Sequence, residues 1–337
     1  MTITVEPVDG PDDSRFGGVL AVWRAIDAEL DPHDPPIPHQ ELGGELFAPP
    51  PDHRQHVWLA TVGGEPAGVA VSVQELDGVN DAVIRLEVRT APEHRRRGLA
   101  RALVRSALPV VVGDGGTSLL GTSPTEPGSV LCRSLGLTHR LDERYSRLRV
   151  AEVDPVQQQL WIDDGPRRAP GYELVGWVGI VPEAWGETLA RGLDAMVDEP
   201  VDDLEWHPQP VTATQVRQRE ESWDRMGCDT VTTLALAPDG SPAGATQILA
   251  SRLRPPLGWQ ADTGVVAKHR GHRLGRWLKA VNLRRALAHQ PALEVVQTAN
   301  AESNPYMLAI NVDMGYRPHR SYAAYQGPIE AVLAALS

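Results

Sequence analysis

The sequence predicts an α+β fold in mixed α/β layers, laid down twice in tandem as mostly antiparallel twisted sheets flanked by helices, and three observations predict it. Short alternating segments and amphipathic segments succeed one another in the order βαβββαβαβ, which suits sheets covered by helices. The stretch AVIRLEVRTAPEHRRRGLARALV, from Ala82, reads as strand, basic turn and helix, and it recurs: sliding the chain by 175 residues lays Glu87 on Asp262, His94 on His269, Arg95 on Arg270, Leu99 on Leu274 and Leu103 on Leu278. Farther on, a slide of 179 lays Leu131–Leu137 over Ile310–Tyr316. Two copies half a chain apart indicate a duplicated domain, since solenoid repeats recur at about 20–50 residues. The expected division is 1–150, a linker over 151–170 that shows no periodicity and holds prolines, and 171–337.

Each element has its own signal. Thr2–Val8 alternates as a first strand, and Asp12–Leu30 carries apolar residues at helical spacing behind aspartates that suit a helix start. DPHDPPIPHQ (31–40) is too rich in proline to be regular; His33, Asp34 and His39 in it lack any fixed geometry for a metal, and a solvated loop is expected. His56–Val62 and Ala67–Val73 form a hairpin around Gly63-Gly64-Glu65-Pro66. Val83–Val88 is a strand, Pro92 breaks it, and a helix runs on from Gly98. Thr117–Gly121 (strand), Gly128–Leu135 (helix) and Thr138–Val150 (closing strand) complete the first copy. In the second copy strands are expected at Tyr172–Val181, Thr230–Leu236, Ala243–Ser251, Trp259–Val266, Leu293–Asn300 and Tyr316–Tyr325. Helices are expected at Glu183–Val197, Ala213–Met226, Arg273–Ala288 and Pro305–Met314, with DEPVDDLEWHPQP an acidic loop.

Composition narrows the function. The 337 residues suffice for two domains of about 150 residues. A net charge of −12 argues against nucleic acid and against an anionic membrane surface, and is compatible with a cationic amine. Cys132 and Cys228 lie in no CxxC or Cys/His cluster, so no metal site and no disulfide framework are expected. The opening MTITVEPVDG has no leader pattern and no run of about eighteen apolar residues occurs, so a cytoplasmic setting is expected.

The chemistry concentrates at the two strand–turn–helix junctions. In the first copy Arg95, Arg96, Arg97, Gly98, Leu99 and Ala100 place positive charge beside the unpaired amides of a new helix; in the second, Arg270, Gly271, His272, Arg273, Leu274 and Gly275 do so, behind Val265. First-turn N–H groups and the helix dipole together favour a phosphate. The dipole contributes only about 0.3–1 kcal/mol when exposed, so amides and arginines must supply most of the grip.

At these residues the chain resembles the GNAT superfamily of N-acetyltransferases, in its tandem actinobacterial form: Arg95-x-x-Gly98-x-Ala100 fits the [QR]-x-x-G-x-[GA] loop. The second copy departs from it, with Arg273 where a glycine is expected. The resemblance implies that the loop holds the pyrophosphate of acetyl-CoA as co-substrate, with no metal, and that a strand carboxylate is general base: Asp262 in the first place, Glu87 in the second. It also implies a tyrosine acid, where this chain has Cys132 and Asn311. Asn300, Asn304 and Asn311 are expected to bond the pantetheine arm, with Asn300 and Asn304 equally readable as helix caps. Tyr306 is a substitute acid or a packing residue. The expected function is acetyl transfer from acetyl-CoA to the amine of a small molecule by direct attack in a ternary complex; the alternatives are a non-catalytic acyl-CoA-binding protein and a protein-modifying acetyltransferase.

Overall fold

The computed structural model describes residues 2–337. In chain order the first elements are β1 (Ile3–Val8), α1 (Phe16–Leu30), α2 (His39–Phe47), β2 (His53–Val62), β3 (Glu65–Glu75), β4 (Val83–Thr90), α3 (Leu99–Gly113), β5 (Ser118–Ser123), α4 (Glu126–Ser134) and β6 (Thr138–Arg149). There follow α5 (Pro155–Arg168), β7 (Glu173–Val178), α6 (Gly186–Leu193), α7 (Ala213–Arg225), β8 (Cys228–Leu236), β9 (Pro242–Ser251) and β10 (Leu257–Val265). The chain closes with α8 (Leu274–His289), β11 (Val295–Ala301), α9 (Pro305–Met314), β12 (Arg317–Pro328) and α10 (Ile329–Leu336). Most expected elements are present within a few residues.

Two compact units result. The first takes the chain up to Leu141 with Asp203–Trp206 and Tyr322–Ser337; the second takes Asp142–Asp202 and His207–Ser321. This differs from a cut at 150 and 171, because the closing strands are exchanged in sequence. Glu143–Arg149 of β6 pairs antiparallel with β11 of the second unit, whereas Ala323–Pro328 of β12 pairs antiparallel with β5 of the first.

The expected linker over 151–170 is corrected: most of it is α5. Asp154 caps this helix by accepting from the amides of Val156 and Gln157, Pro155 stands in the first turn where its missing N–H costs nothing, and Pro166 falls in the last turn. At Gly165 a Cβ would lie 2.3–2.6 Å from the Trp277 indole, so the helix can approach α8 only through that glycine. Two further helices were not expected. Beyond the prolines of 31–40 the chain forms α2, with Leu42 and Leu46 buried, and α10 buries Ile329, Val332 and Leu336.

In the first unit the sheet runs β1-β2-β3-β4-β5-β12, and helices cover both faces. Alternate residues of one strand go to opposite cores: Val57 and Leu59 of β2 join Phe16, Val19 and Trp23 of α1, while Trp58 and Ala60 join Leu99, Leu103 and Leu108 of α3. The second unit runs β6-β11-β10-β9-β8-β7. There α8 and α5 pack on one face through Leu283, Ala286 and Trp161, and α6 and α7 on the other through Leu189, Leu193 and Val216. In each unit one pair of central strands is parallel for three rungs only: Val83–Arg85 with Ser118–Leu120, and Leu257–Trp259 with Val295–Gln297.

Candidate active site

The two loops share a backbone that their residues disguise. In the first unit Arg96 and Gly98 have φ of 62° and 82°; in the second Gly271 and Arg273 have φ of 87° and 57°. Each loop therefore needs two left-handed residues, and the duplicate has exchanged which of them is glycine. A non-glycine residue pays roughly 1–2 kcal/mol there, so the arginine is held by the rest of the loop. The leading arginines also match. Arg95 Nε donates to the Thr90 carbonyl and Arg270 Nε to that of Val265, at 3.3 and 3.1 Å. Their guanidiniums reach Glu29 and Asp198 respectively, the latter at 2.6 Å.

The second unit differs in its central strand. In β10 the register to β9 slips between Gln260 and Thr263, so Ala261 and Asp262 stand opposite Gln247 alone. This is a β-bulge, which bends the strand and re-aims its side chains. No slip interrupts the pairing of β3 with β4 over Gly68–Gln74 and Ile84–Thr90. The extra residue explains the numbering of the repeat: parallel pairing begins at Val83 and Leu257, 174 apart, whereas the loops stand 175 apart at Arg95 and Arg270. Beyond Trp259 and Gln297 the parallel pairing stops, and the side chain of Thr298 reaches across to the Gln260 carbonyl at 3.3 Å.

At this parting of β10 and β11 lies a cavity of about 1080 Å³. Gln260–Val265 of β10, Thr298–Asn300 of β11 and the loop and start of α8 form its walls. The mouth carries Tyr306, 85% exposed, and the floor carries Lys279 of α8, 1% exposed, with Nζ 5.2 Å from the centroid of the Tyr316 ring. Burial alone pulls the Lys279 ammonium down to about 7. The Gln260 side-chain amide donates to the Thr246 and Thr263 hydroxyls and the Gln247 carbonyl, leaving its own buried Oε1 without a partner.

These features can be set beside known proteins. A model described as the acetyltransferase (GNAT) family matches residues 23–131, within the first unit. A solved tandem GNAT protein from the clavulanic acid biosynthesis pathway is similar over 97% of this chain and 98% of its own, at 26% identity and a TM-score of 0.78. This chain is a tandem of GNAT acetyltransferase folds. The fold alone is shared with a GCN5-related N-acetyltransferase from Sphaerobacter thermophilus, at 14% identity over 97% of this chain and 96% of the other, TM-score 0.69. It is shared also with Saccharomyces cerevisiae N-myristoyltransferase, at 11% identity over 96% and 82%, TM-score 0.60. No curated protein matches in sequence. Among the described residues no helix is long and apolar enough to cross a membrane, and no cluster of three or more metal-ligating side chains occurs.

Within this tandem GNAT fold the expected residues separate into groups. Val265, Arg270, Gly271, Arg273, Leu274, Gly275, Asn300 and Asn304 line the cavity, with Asp262. His272 is not among the lining residues; its Nδ1 lies 3.4 Å from the Arg168 carbonyl, and its ring lies beside Tyr172. Asn311 is not among them either: it is buried and donates to Asn300 Oδ1 at 2.7 Å. Asn304 caps α9 by accepting from the Met307 amide, so it lines the cavity and caps a helix at once.

The carboxylates rearrange the expected chemistry. Asp262 is where the strand should carry one, but Arg219 of α7 holds it at 2.7 Å. Glu199, from the segment read as an acidic loop, lines the same cavity, and no ion pair ties it. Burial, reinforced by the charges of Asp262 and Glu143, pushes its carboxyl up to about 7. In the first unit, Glu87 accepts from Arg89 Nε at 2.5 Å, Arg89 also reaches Asp27 at 3.0 Å, and its guanidinium lies 3.7 Å from the Trp23 ring centroid. Glu45 of α2 faces the same network, and burial, against the attraction of Arg89, pushes its carboxyl up to about 7. Arg96, Arg97 and Gly98 are exposed at the loop, while Leu99 is core and Ala100 follows it into α3. Cys132 is buried in the first unit's core, where burial pushes its thiol up to about 11, which removes it as a proton donor near neutrality.

Proposed function

We propose that the second unit transfers an acyl group from acyl-CoA, acetyl-CoA first, to the amine of a small molecule. The observation that carries this reading is one cavity uniting a left-handed loop at a helix opening, a parted pair of strands and a free carboxylate whose proton affinity suits neutral pH. The residues fit the nucleotide thioester. Amides of Gly271–Gly275 at the opening of α8 and the guanidinium of Arg270 supply donors for a diphosphate, and the edges of β10 and β11 beyond their last shared rung offer main-chain groups to an amide-bearing arm.

The acceptor nitrogen must be neutral to attack. An amine of pKa about 10.4 pays roughly 4.6 kcal/mol to be neutral at pH 7. Glu199, held near about 7, takes that proton far more readily than a carboxylate near 4. Asp262, fixed by Arg219, helps hold the proton affinity of Glu199 high. The paired carboxylates also attract a cationic acceptor, and Trp223 and Trp259 give the cavity an apolar aromatic wall for the body of such a molecule.

The test is thiol release from acetyl-CoA with a panel of small primary amines. Turnover that saturates in both substrates and is lost in E199Q supports the proposal. Stoichiometric binding of acetyl-CoA without turnover by any amine refutes it in favour of an acyl-CoA-binding protein.

A further inference from the structure

Acyl transfer needs a proton at the departing sulfur, and neither position expected to supply one does so: Cys132 is core in the first unit and Asn311 is bonded to Asn300 beneath the second unit's cavity wall. Resting on the function proposed above, the side chains of the cavity itself can be taken one by one. Arg270 and Arg273 do not release a proton near neutrality, and they face Asp198 and Asp164. Asp262 is held by Arg219, and Glu199 is the proton acceptor. Tyr306 projects into solvent at the mouth. Lys279 remains, and its place is unusual for a lysine. It sits on α8 four residues beyond Gly275, on the same helix face and about 6 Å deeper than the loop. Moved back by 175 residues, the same helix position in the first unit is Val104, a core residue at 2% exposure. The duplicate has thus put a charge where its copy keeps a methyl-bearing side chain. No carboxylate pairs with that charge: its one ring contact is Tyr316, whose phenol is buried and itself pushed upward by burial. A buried, unpaired lysine opening on a cavity is costly unless something in the cavity uses it.

We propose that Lys279 is the proton donor to the sulfur that leaves during acyl transfer. The acceptor nitrogen, already neutral because its ammonium proton has passed through Glu199 to solvent, forms its bond to the thioester carbonyl carbon and gives its second proton to the again-ionised Glu199. The C–S bond breaks with its electron pair going to sulfur, and the ammonium of Lys279 transfers a proton to that sulfur, so CoA departs as the thiol. Lys279 is left neutral and Glu199 protonated; exchange with solvent through the open mouth restores both. The titratable and charged groups that face the lysine are the Tyr316 phenol on the core side and Asp198, Glu199, Asp262, Arg270, Arg273 and Tyr306 on the cavity side.

The test uses free CoA and the full-length protein. Binding is measured by calorimetry, and the ultraviolet absorbance of the bound thiolate is followed against pH for the native chain and for K279M, with K279Q in reserve should K279M not fold. The lysine and the bound thiol titrate as a pair: the attraction between ammonium and thiolate raises the one and lowers the pH at which the other ionises by at least about one unit, a tenfold gain in thiolate fraction, and the neutral variants lose that gain while still binding CoA. CoA that binds to the native chain but ionises as it does free in solution overturns the assignment and leaves the proposed function standing. So does a gain equal in native and neutral variants. Absence of CoA binding by the native chain removes both proposals together.

Discussion

Replacing Lys279 by methionine should stabilise this protein near neutral pH. The side chain is 1% exposed and pairs with no carboxylate, and burial pulls its ammonium from 10.5 down to about 7. At about 1.4 kcal/mol per unit, the charged form costs about 5 kcal/mol more in the folded chain than in the unfolded one, an upper bound that water entering the cavity reduces. Methionine fills nearly the same volume and carries no charge to desolvate, so the expected gain is about 2–5 kcal/mol. The pH dependence has a definite sign. Above about 7 the folded chain no longer protonates Lys279, while the unfolded chain does so up to about 10.5. In that window the unfolded state binds more protons, so native stability rises with pH and the penalty fades. The gain from K279M should therefore be full at about pH 6 and nearly gone at about pH 10. Urea denaturation of both proteins at these two pH values, followed by tryptophan fluorescence, checks this. A variant less stable than the native chain at about pH 6, or a difference that does not change with pH, refutes the reasoning. Stability gained at the expense of chemistry is the usual trade at a working site.

Three further outcomes are expected. E199Q should lower kcat by about 10²–10⁴ with little change in acetyl-CoA affinity, and native kcat/KM should pass through a maximum at about pH 7, its acid limb set by Glu199 losing a proton and its alkaline limb by Lys279 losing one; steady-state kinetics across pH would show both. R273G should raise thermal stability by about 1 kcal/mol or more, because it removes a side chain from a backbone at φ 57° without altering the loop; calorimetric melting measures it. G165A should destabilise by about 1–3 kcal/mol, since its Cβ would press into the Trp277 indole, and denaturation of the second unit reports it.

Much of the fold can be read from residues alone because the strand–loop–helix junction is written twice. A two-residue period turning to a helical one across a basic turn is a local signal, and its recurrence at 175 residues makes it a statement about architecture. What stays hidden is set by contacts distant in sequence. The exchange of closing strands depends on which neighbour β6 and β12 find, and both read simply as strands. The helix over Pro155–Arg168 is masked by its prolines, although Asp154-Pro155 is itself a helix-start signature. Glu199 lies in an irregular acidic segment where no period singles out one carboxylate, and its raised proton affinity comes from burial and from the charges of Asp262 and Glu143. Lys279 has a signal that can be read, for Val104 stands at its place in the other copy. The β10 bulge is legible in the same way, as a repeat that slips from 174 to 175 residues within one strand.

The reading proposed above places acyl-CoA in the second unit, its diphosphate on the amides that open α8. Amide hydrogen exchange on the full-length protein with and without acetyl-CoA tests this most directly, because exchange reports opening segment by segment. Acetyl-CoA should slow exchange at residues 265–275 and 298–304. Slowing confined to residues 95–100 of the first unit, or none at saturating ligand, would contradict it.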